Sequence, residues 1–138
     1  MRIYLDSSVM LRYLLNGDES IIAIGPEHEV ASSELLEIEC RRVIQRERLE
    51  KRIDDAQCAA AIGNLERVLE MLSTIEIERN VKRMACGSFP TVIGTLDAIH
   101  LSSALLWREA VGSEVSILTY DKQLRISAEA MGLRSFQL

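Results

Sequence analysis

The sequence predicts an α/β fold, with a mainly parallel central sheet and helices on both sides. Three observations carry this. Short apolar segments alternate with longer stretches of helical apolar spacing along the whole chain, the pattern of parallel strands joined by helical crossovers. Ile3-Tyr4-Leu5 and Ile117-Leu118-Thr119-Tyr120 run directly into Asp6 and Asp121, and open α/β sheets build their sites outside the carboxyl ends of strands. With 138 residues, 48% of them hydrophobic, the chain can bury a core of its own. No repeat, low-complexity linker or internal boundary interrupts it, so residues 1–138 are expected to form a single domain.

The elements follow in order. Arg2 to Leu5 reads as a first strand, broken by Asp6-Ser7-Ser8. Ser7 or Ser8 caps a helix through Val9, Leu11, Leu14 and Leu15, which Asn16-Gly17 closes. After a polar stretch, Glu29 to Ser32 is a second strand, and Ser32 or Ser33 opens a helix carrying Leu36, Cys40, Val43 and Ile44. Asp54 starts a long helix with an apolar stripe of Ile53, Ala56, Ala60, Leu65, Val68, Leu69 and Leu72. Thr74 to Ile77 alternates like a short strand, and Asn80 to Cys86 is a short helix ended by Gly87-Ser88-Phe89-Pro90. A helix capped by Thr95 runs to about Ala110 and buries Leu96, Ile99, Leu105 and Leu106. Ser116 to Thr119 is a strand, Asp121 or Lys122 to Met131 a helix stopped by Gly132, and Arg134 to Leu138 a last edge strand.

Composition removes several functional classes. No apolar run approaches the roughly 20 residues that span a bilayer, and Arg2 with Asp6 is unlike a signal peptide, so a soluble cytoplasmic protein is expected. Cys40, Cys58 and Cys86 lack metal-ligand or redox spacing and read as small buried side chains in a reducing compartment. With His28 and His100 the only histidines, a Cys/His zinc site is not expected. A formal net charge of −5 argues against capture of nucleic acid by the whole surface, but leaves room for a local basic patch or a bound divalent cation.

Four carboxylates are placed to converge: Asp6 and Asp121 at strand ends, Asp97 in the first turn of the Thr95 helix, and Glu39 early on the helix after the second strand. Carboxylates on separate rigid elements suit hard cations such as magnesium or manganese, which prefer oxygen ligands. Without a cation such a cluster repels itself. Each residue also has a plainer reading: Asp97 as a group favoured by the helix dipole, and Glu39 as a solvated helix residue with Glu34, Glu37 and Glu47 as competitors.

The words around these residues carry a resemblance. Ile3-Tyr4-Leu5-Asp6-Ser7-Ser8-Val9 resembles the opening motif of PIN domains. Thr95-Leu96-Asp97-Ala98-Ile99-His100-Leu101 resembles their central acidic motif, and Leu118-Thr119-Tyr120-Asp121-Lys122-Gln123-Leu124 their final one. Ser33 with Glu39 is similar to the remaining acidic motif. Order and separations agree across essentially the whole chain, whose size most resembles a VapC-type toxin of a toxin–antitoxin pair.

The resemblance implies a three-layer PIN-like fold. It also implies a magnesium- or manganese-dependent endoribonuclease that cleaves RNA through metal-activated water. Asp6, Glu39, Asp97 and Asp121 would be its catalytic and metal-binding residues, with Asp6 and Asp97 the central pair and the Ser7 and Thr119 hydroxyls in support. A homodimer and a small antitoxin partner are implied as well. The alternative is a catalytically silent PIN-like module that binds RNA or protein. Aspartyl phosphoryl transfer fits less well, because Ser8 stands where dehalogenase-like phosphatases place a second aspartate.

Arg41, Arg42, Arg46, Arg48, Lys51 and Arg52 form a basic run after Glu39. It is either a solvated helix face or a phosphate-backbone contact, for which Arg42 and Arg46, sharing a face, are the candidates. His100, one helical turn after Asp97, reads as a helix histidine satisfied by a neighbour, since hard oxygen sites seldom recruit imidazole. Tyr13 and Trp107 lie in apolar patterns and read as core or interface residues.

Overall fold

A computed structural model describes all 138 residues. Its order is β1 (Arg2–Leu5), α1 (Ser7–Asn16), a 3₁₀ turn (Glu19–Ala23), β2 (Glu29–Ser33), α2 (Leu35–Leu49), α3 (Asp55–Met71), β3 (Ser73–Ile75), α4 (Arg79–Ala85), α5 (Thr95–Val111), β4 (Val115–Leu118), α6 (Lys122–Ala130) and β5 (Arg134–Ser135). The strands form one sheet in the order β3-β2-β1-β4-β5, parallel at every pairing. The α/β class, the parallel sheet and helices on both faces agree with expectation. No helix is long and apolar enough to cross a membrane.

Strand alternation separates two cores. Ile3 and Leu5 of β1 and Leu118 of β4 face a cluster with Val9, Met10, Leu36, Cys40, Ile44 and Leu65, drawn from α1, α2 and α3. Tyr4 and Ile117 face the opposite cluster, with Leu101, Leu105, Leu124 and Ala128 from α5 and α6. Because β1 is covered on both faces, Ile3, Tyr4 and Leu5 are fully buried, as a central parallel strand requires. The chain moves from β1 outward through β2 to β3, then crosses to β4 on the other side of β1. The carboxyl ends of β1 and β4 therefore flank the point where strand order reverses, the usual ligand crevice of such sheets.

Several local expectations are corrected. Asp6 caps α1, accepting from the Ser8 backbone N–H, whereas Ser7 already lies inside the helix. The α2 start has no side-chain cap at Glu34; Ser33 ends β2 and accepts from Leu35 N at 3.1 Å, while the Ser32 hydroxyl is drawn back to Leu5 O at 2.6 Å. Gly94, not Thr95, precedes α5.

On α3 the buried face is Cys58, Ala61 and Leu65, and Ala56 and Ala60 are exposed. The helix has only one neighbouring layer, so small alanines impose no orientation of their own. Leu96 is exposed, and α5 is instead buried through Ala98, His100, Leu101, Ser102, Ser103, Ala104 and Leu105. β3 lies slightly earlier than expected, and β5 stops at Ser135. Cys40 and Cys58 are buried as free thiols, but Cys86 is exposed at the end of α4.

Local chemistry accounts for the firm boundaries. Asp54 and Gln57 form a reciprocal capping box at α3. Gly17 follows α1 with φ 69°, a left-handed conformation that glycine adopts without Cβ strain.

Candidate acidic site

Asp6 stands at the junction of β1 and α1, and only 1% of it is exposed. Its backbone N–H donates to Leu118 O at 3.0 Å, tying the end of β1 to the end of β4. Its Oδ2 accepts from Thr119 Oγ1 at 2.8 Å and from Ser8 Oγ at 2.7 Å. Its Oδ1 is buried with no hydrogen-bond partner. An unmatched buried acceptor costs about 1–3 kcal/mol, so this oxygen stands ready for an incoming donor or cation.

Glu39 is the glutamate of α2 that bonds to Ser7, the neighbour of Asp6 in sequence, and to His100. Its Oε2 accepts from Ser7 Oγ at 3.1 Å, and its Oε1 lies 2.5 Å from His100 Nε2. The competitors are engaged elsewhere: Glu34 accepts from Ile77 N, Glu37 from Arg41 and Glu47 from Arg52. Spacing does not distinguish them; their hydrogen-bond partners do.

Asp97 lies in the first turn of α5. Its carboxyl is pushed up to about 6 by burial, with the nearby charges of Asp6, Asp121 and Glu39 adding and His100 opposing. Asp121 caps α6, its Oδ1 accepting from Leu124 N at 2.8 Å. The Thr119 hydroxyl also accepts from Asp121 N at 3.0 Å, linking the two strand-end aspartates through one side chain. Asp6, Glu39, Asp97 and Asp121 thus share one acidic end of the sheet. They stand apart from one another: no three of these groups converge on a single point at ligating distance.

Ser8 and Tyr4 were not among the expected site residues, whereas His100, expected to be satisfied by a neighbour, is satisfied by two. Ser8 fixes Asp6 and accepts from Tyr120 N at 3.0 Å. His100 is fully buried between Glu39 and Tyr4, whose hydroxyl lies 2.7 Å from His100 Nδ1. Burial lowers the basicity of His100, but its hydrogen bond to Glu39 and the charges of Asp6, Glu39 and Asp97 outweigh this and raise it. Tyr4 and Glu39 reach His100 across 96 and 61 residues of sequence; the only sequence sign was a tyrosine on the α5-facing side of β1. Burial pushes Cys40, next to Glu39, up to about 12, so this thiol is inert.

The basic run divides. Arg41 pairs with Glu37 and Glu66, Arg48 with Asp55, and Arg52 with Glu47 and Glu50. Arg42 and Arg46 are exposed and line a shallow groove with Gln45, Leu49 and Glu50, the last of which pairs with Arg52. By helical spacing they continue along the side of α2 from which Glu39 projects.

Comparison with known proteins gives three findings. The family model described as PIN domain matches residues 3–129. Ribonuclease VapC46 of Mycobacterium tuberculosis is 30% identical over 135 residues, covering 95% of this chain and 93% of the relative. Among solved structures, VapBC2 from Rickettsia felis bound to a DNA fragment from their promoter aligns with a TM-score of 0.69 at 13% identity, covering 100% of this chain and 99% of that one. VapBC-1 from nontypeable Haemophilus influenzae aligns with a TM-score of 0.64 at 13% identity, covering 99% and 98%.

Proposed function

Because this chain belongs to the PIN-domain family, we propose that it is a divalent-metal-dependent endoribonuclease, the toxin of a toxin–antitoxin pair. The observation that carries the reading is Asp6: one carboxylate oxygen is fixed by two hydroxyls, and the other is buried without a partner. The donor set is all carboxylate, and the Asp97 carboxyl is held up by burial and, after that, by the repulsion of its neighbours. Both features fit a hard cation, and magnesium or manganese suits oxygen ligands of this kind. Asp6, Glu39, Asp97 and Asp121 would hold it.

A bound ion of this type lowers the pKa of water and offsets phosphate charge during phosphodiester hydrolysis. The chain's own residues supply the frame. Thr119 and Ser8 hold Asp6 through Oδ2, leaving Oδ1 4.0 Å from His100 Nε2. Ser7 restrains Glu39, and the α6 cap restrains Asp121. Arg42 and Arg46, without ion-pair partners, are positioned to meet the phosphate backbone of RNA approaching along α2.

The relative named Ribonuclease VapC46 supports RNA as the substrate. Resemblance to VapC-type toxins supports a cognate antitoxin, a homodimer and a cytoplasmic setting. The silent-module reading requires no unmatched buried oxygen at Asp6, so the catalytic reading is preferred. Its test is cleavage of RNA by the purified protein with magnesium, compared with Asp6→Asn and Asp97→Asn. Loss of cleavage in both variants with folding intact is expected; full activity in both contradicts the assignment.

A further inference from the structure

His100 was expected to be a helix histidine satisfied by a neighbour, and it is: 0% exposed, it uses both ring nitrogens, one on Tyr4 and one on Glu39. The Ser33 backbone N–H donates to Tyr4 Oη at 3.1 Å. The Tyr4 hydroxyl proton is thereby free to point at His100 Nδ1, 2.7 Å away. Nε2 then carries the hydrogen that Glu39 Oε1, an acceptor only, receives. Tyr4 and His100 also meet edge-on, with ring centroids 5.8 Å apart, which fixes the plane of the imidazole. The same Nε2 lies 4.0 Å from Asp6 Oδ1, the unpartnered oxygen. That is too long for a hydrogen bond, but it places oxygens of Glu39 and Asp6 within 4.0 Å of one fixed nitrogen.

We propose that His100, locked by Tyr4, is a positioning residue that holds the Glu39 carboxylate beside Asp6 and thereby sets the geometry in which the acidic site takes a divalent cation. The proposal rests on the metal-nuclease reading above and adds to it a second layer running from the β2 backbone through Tyr4 and His100 to Glu39. Histidines and carboxylates are commonly oriented by such outer partners, whose loss weakens metal affinity by about 10- to 100-fold. The imidazole here is not a ligand, since both nitrogens are already engaged. Glu39 keeps further lone pairs on each oxygen after accepting from His100 and Ser7.

The test is calorimetric titration of the full chain with manganese chloride, for wild type, Tyr4→Phe, His100→Gln and His100→Ala, with thermal unfolding of each protein measured without metal. Expected results are a several-fold weaker affinity in Tyr4→Phe, which loses one hydroxyl, and about 10- to 100-fold in His100→Ala. His100→Gln recovers part of the loss, because its amide N–H can still donate to Glu39. In cleavage assays kcat falls while KM for RNA stays within two-fold, about the scatter of an assay. If His100→Ala does not fold, Tyr4→Phe and His100→Gln decide. Wild-type affinity in those two variants overturns the positioning role, even if their melting points drop. A wild-type chain that binds no manganese overturns the metal-nuclease reading itself, and the positioning role with it.

Discussion

Thr119 Oγ1 donates to Asp6 Oδ2 at 2.8 Å, joining the ends of the two central strands across 113 residues of sequence. The same oxygen accepts from Asp121 N at 3.0 Å. One hydroxyl therefore orients the most buried carboxylate of the site and satisfies the backbone of another. Thr119→Val keeps the shape and removes both bonds. Stability is expected to fall by about 1–3 kcal/mol, the range for an unmatched buried polar group, measured as a lower urea midpoint at unchanged slope. Thr119→Ser should restore most of it.

Asp97 gives a pH prediction with a definite sign. Its carboxyl stands at about 6, above the ordinary 3.8, so the folded chain holds this proton more tightly than the unfolded chain. Its contribution to stability is therefore lost as pH rises from about 4 to about 6, and levels off above. Asp97→Asn removes the effect. Measured in EDTA, the variant should be more stable than wild type at pH 7, on the order of 1 kcal/mol after allowance for solvent screening, and the gap should close toward pH 4. A constant gap across that range would show that burial and the charges of Asp6, Asp121 and Glu39 do not raise this carboxyl in the folded chain.

Glutamates of α2 can be told apart by substitution. Glu39→Gln should lower RNA cleavage at least ten-fold, while Glu37→Gln, an exposed pair with Arg41, should change it less than two-fold and stability by about 0.5 kcal/mol or less. Equal effects in the two variants would remove Glu39 from the site.

Arg42 and Arg46 should act on substrate rather than on the fold. Exchanging both for Gln is expected to raise KM for RNA and flatten its dependence on salt, because each phosphate contact removed reduces the slope by about 0.7 for a single strand. Melting temperature should stay unchanged, since neither side chain has an ion-pair partner. Arg48→Gln, which loses only an exposed pair with Asp55, is the control and should leave cleavage as in wild type.

The sequence was most legible where one local pattern decided the outcome. A run such as Ile3-Tyr4-Leu5 has to lie in a sheet buried on both faces, and Asp6 then falls at its carboxyl end whatever the remaining fold. Asp54 announced α3 because its capping box is complete within four residues. Legibility failed where distance in sequence separates the partners. Ser7 and Ser8 looked like caps, but the hydroxyl of Ser8 turns toward Asp6 and Thr119, and Asp6 itself takes the cap. His100 was expected to be satisfied by a neighbour, but the partners, Tyr4 and Glu39, are invisible from its own helix. The 3₁₀ turn at Glu19–Ala23, capped by Asp18, lay hidden in a polar stretch with no helical period. Leu96 was expected inside because leucine usually is, yet α5 packs through alanines and serines that let it approach the sheet.

The most direct test of the account is RNA cleavage by the purified wild-type chain, measured in magnesium and in EDTA with Asp6→Asn in parallel. Wild type is expected to cleave in magnesium and not in EDTA, and Asp6→Asn in neither. Equal cleavage in EDTA, or undiminished cleavage by Asp6→Asn, would contradict it.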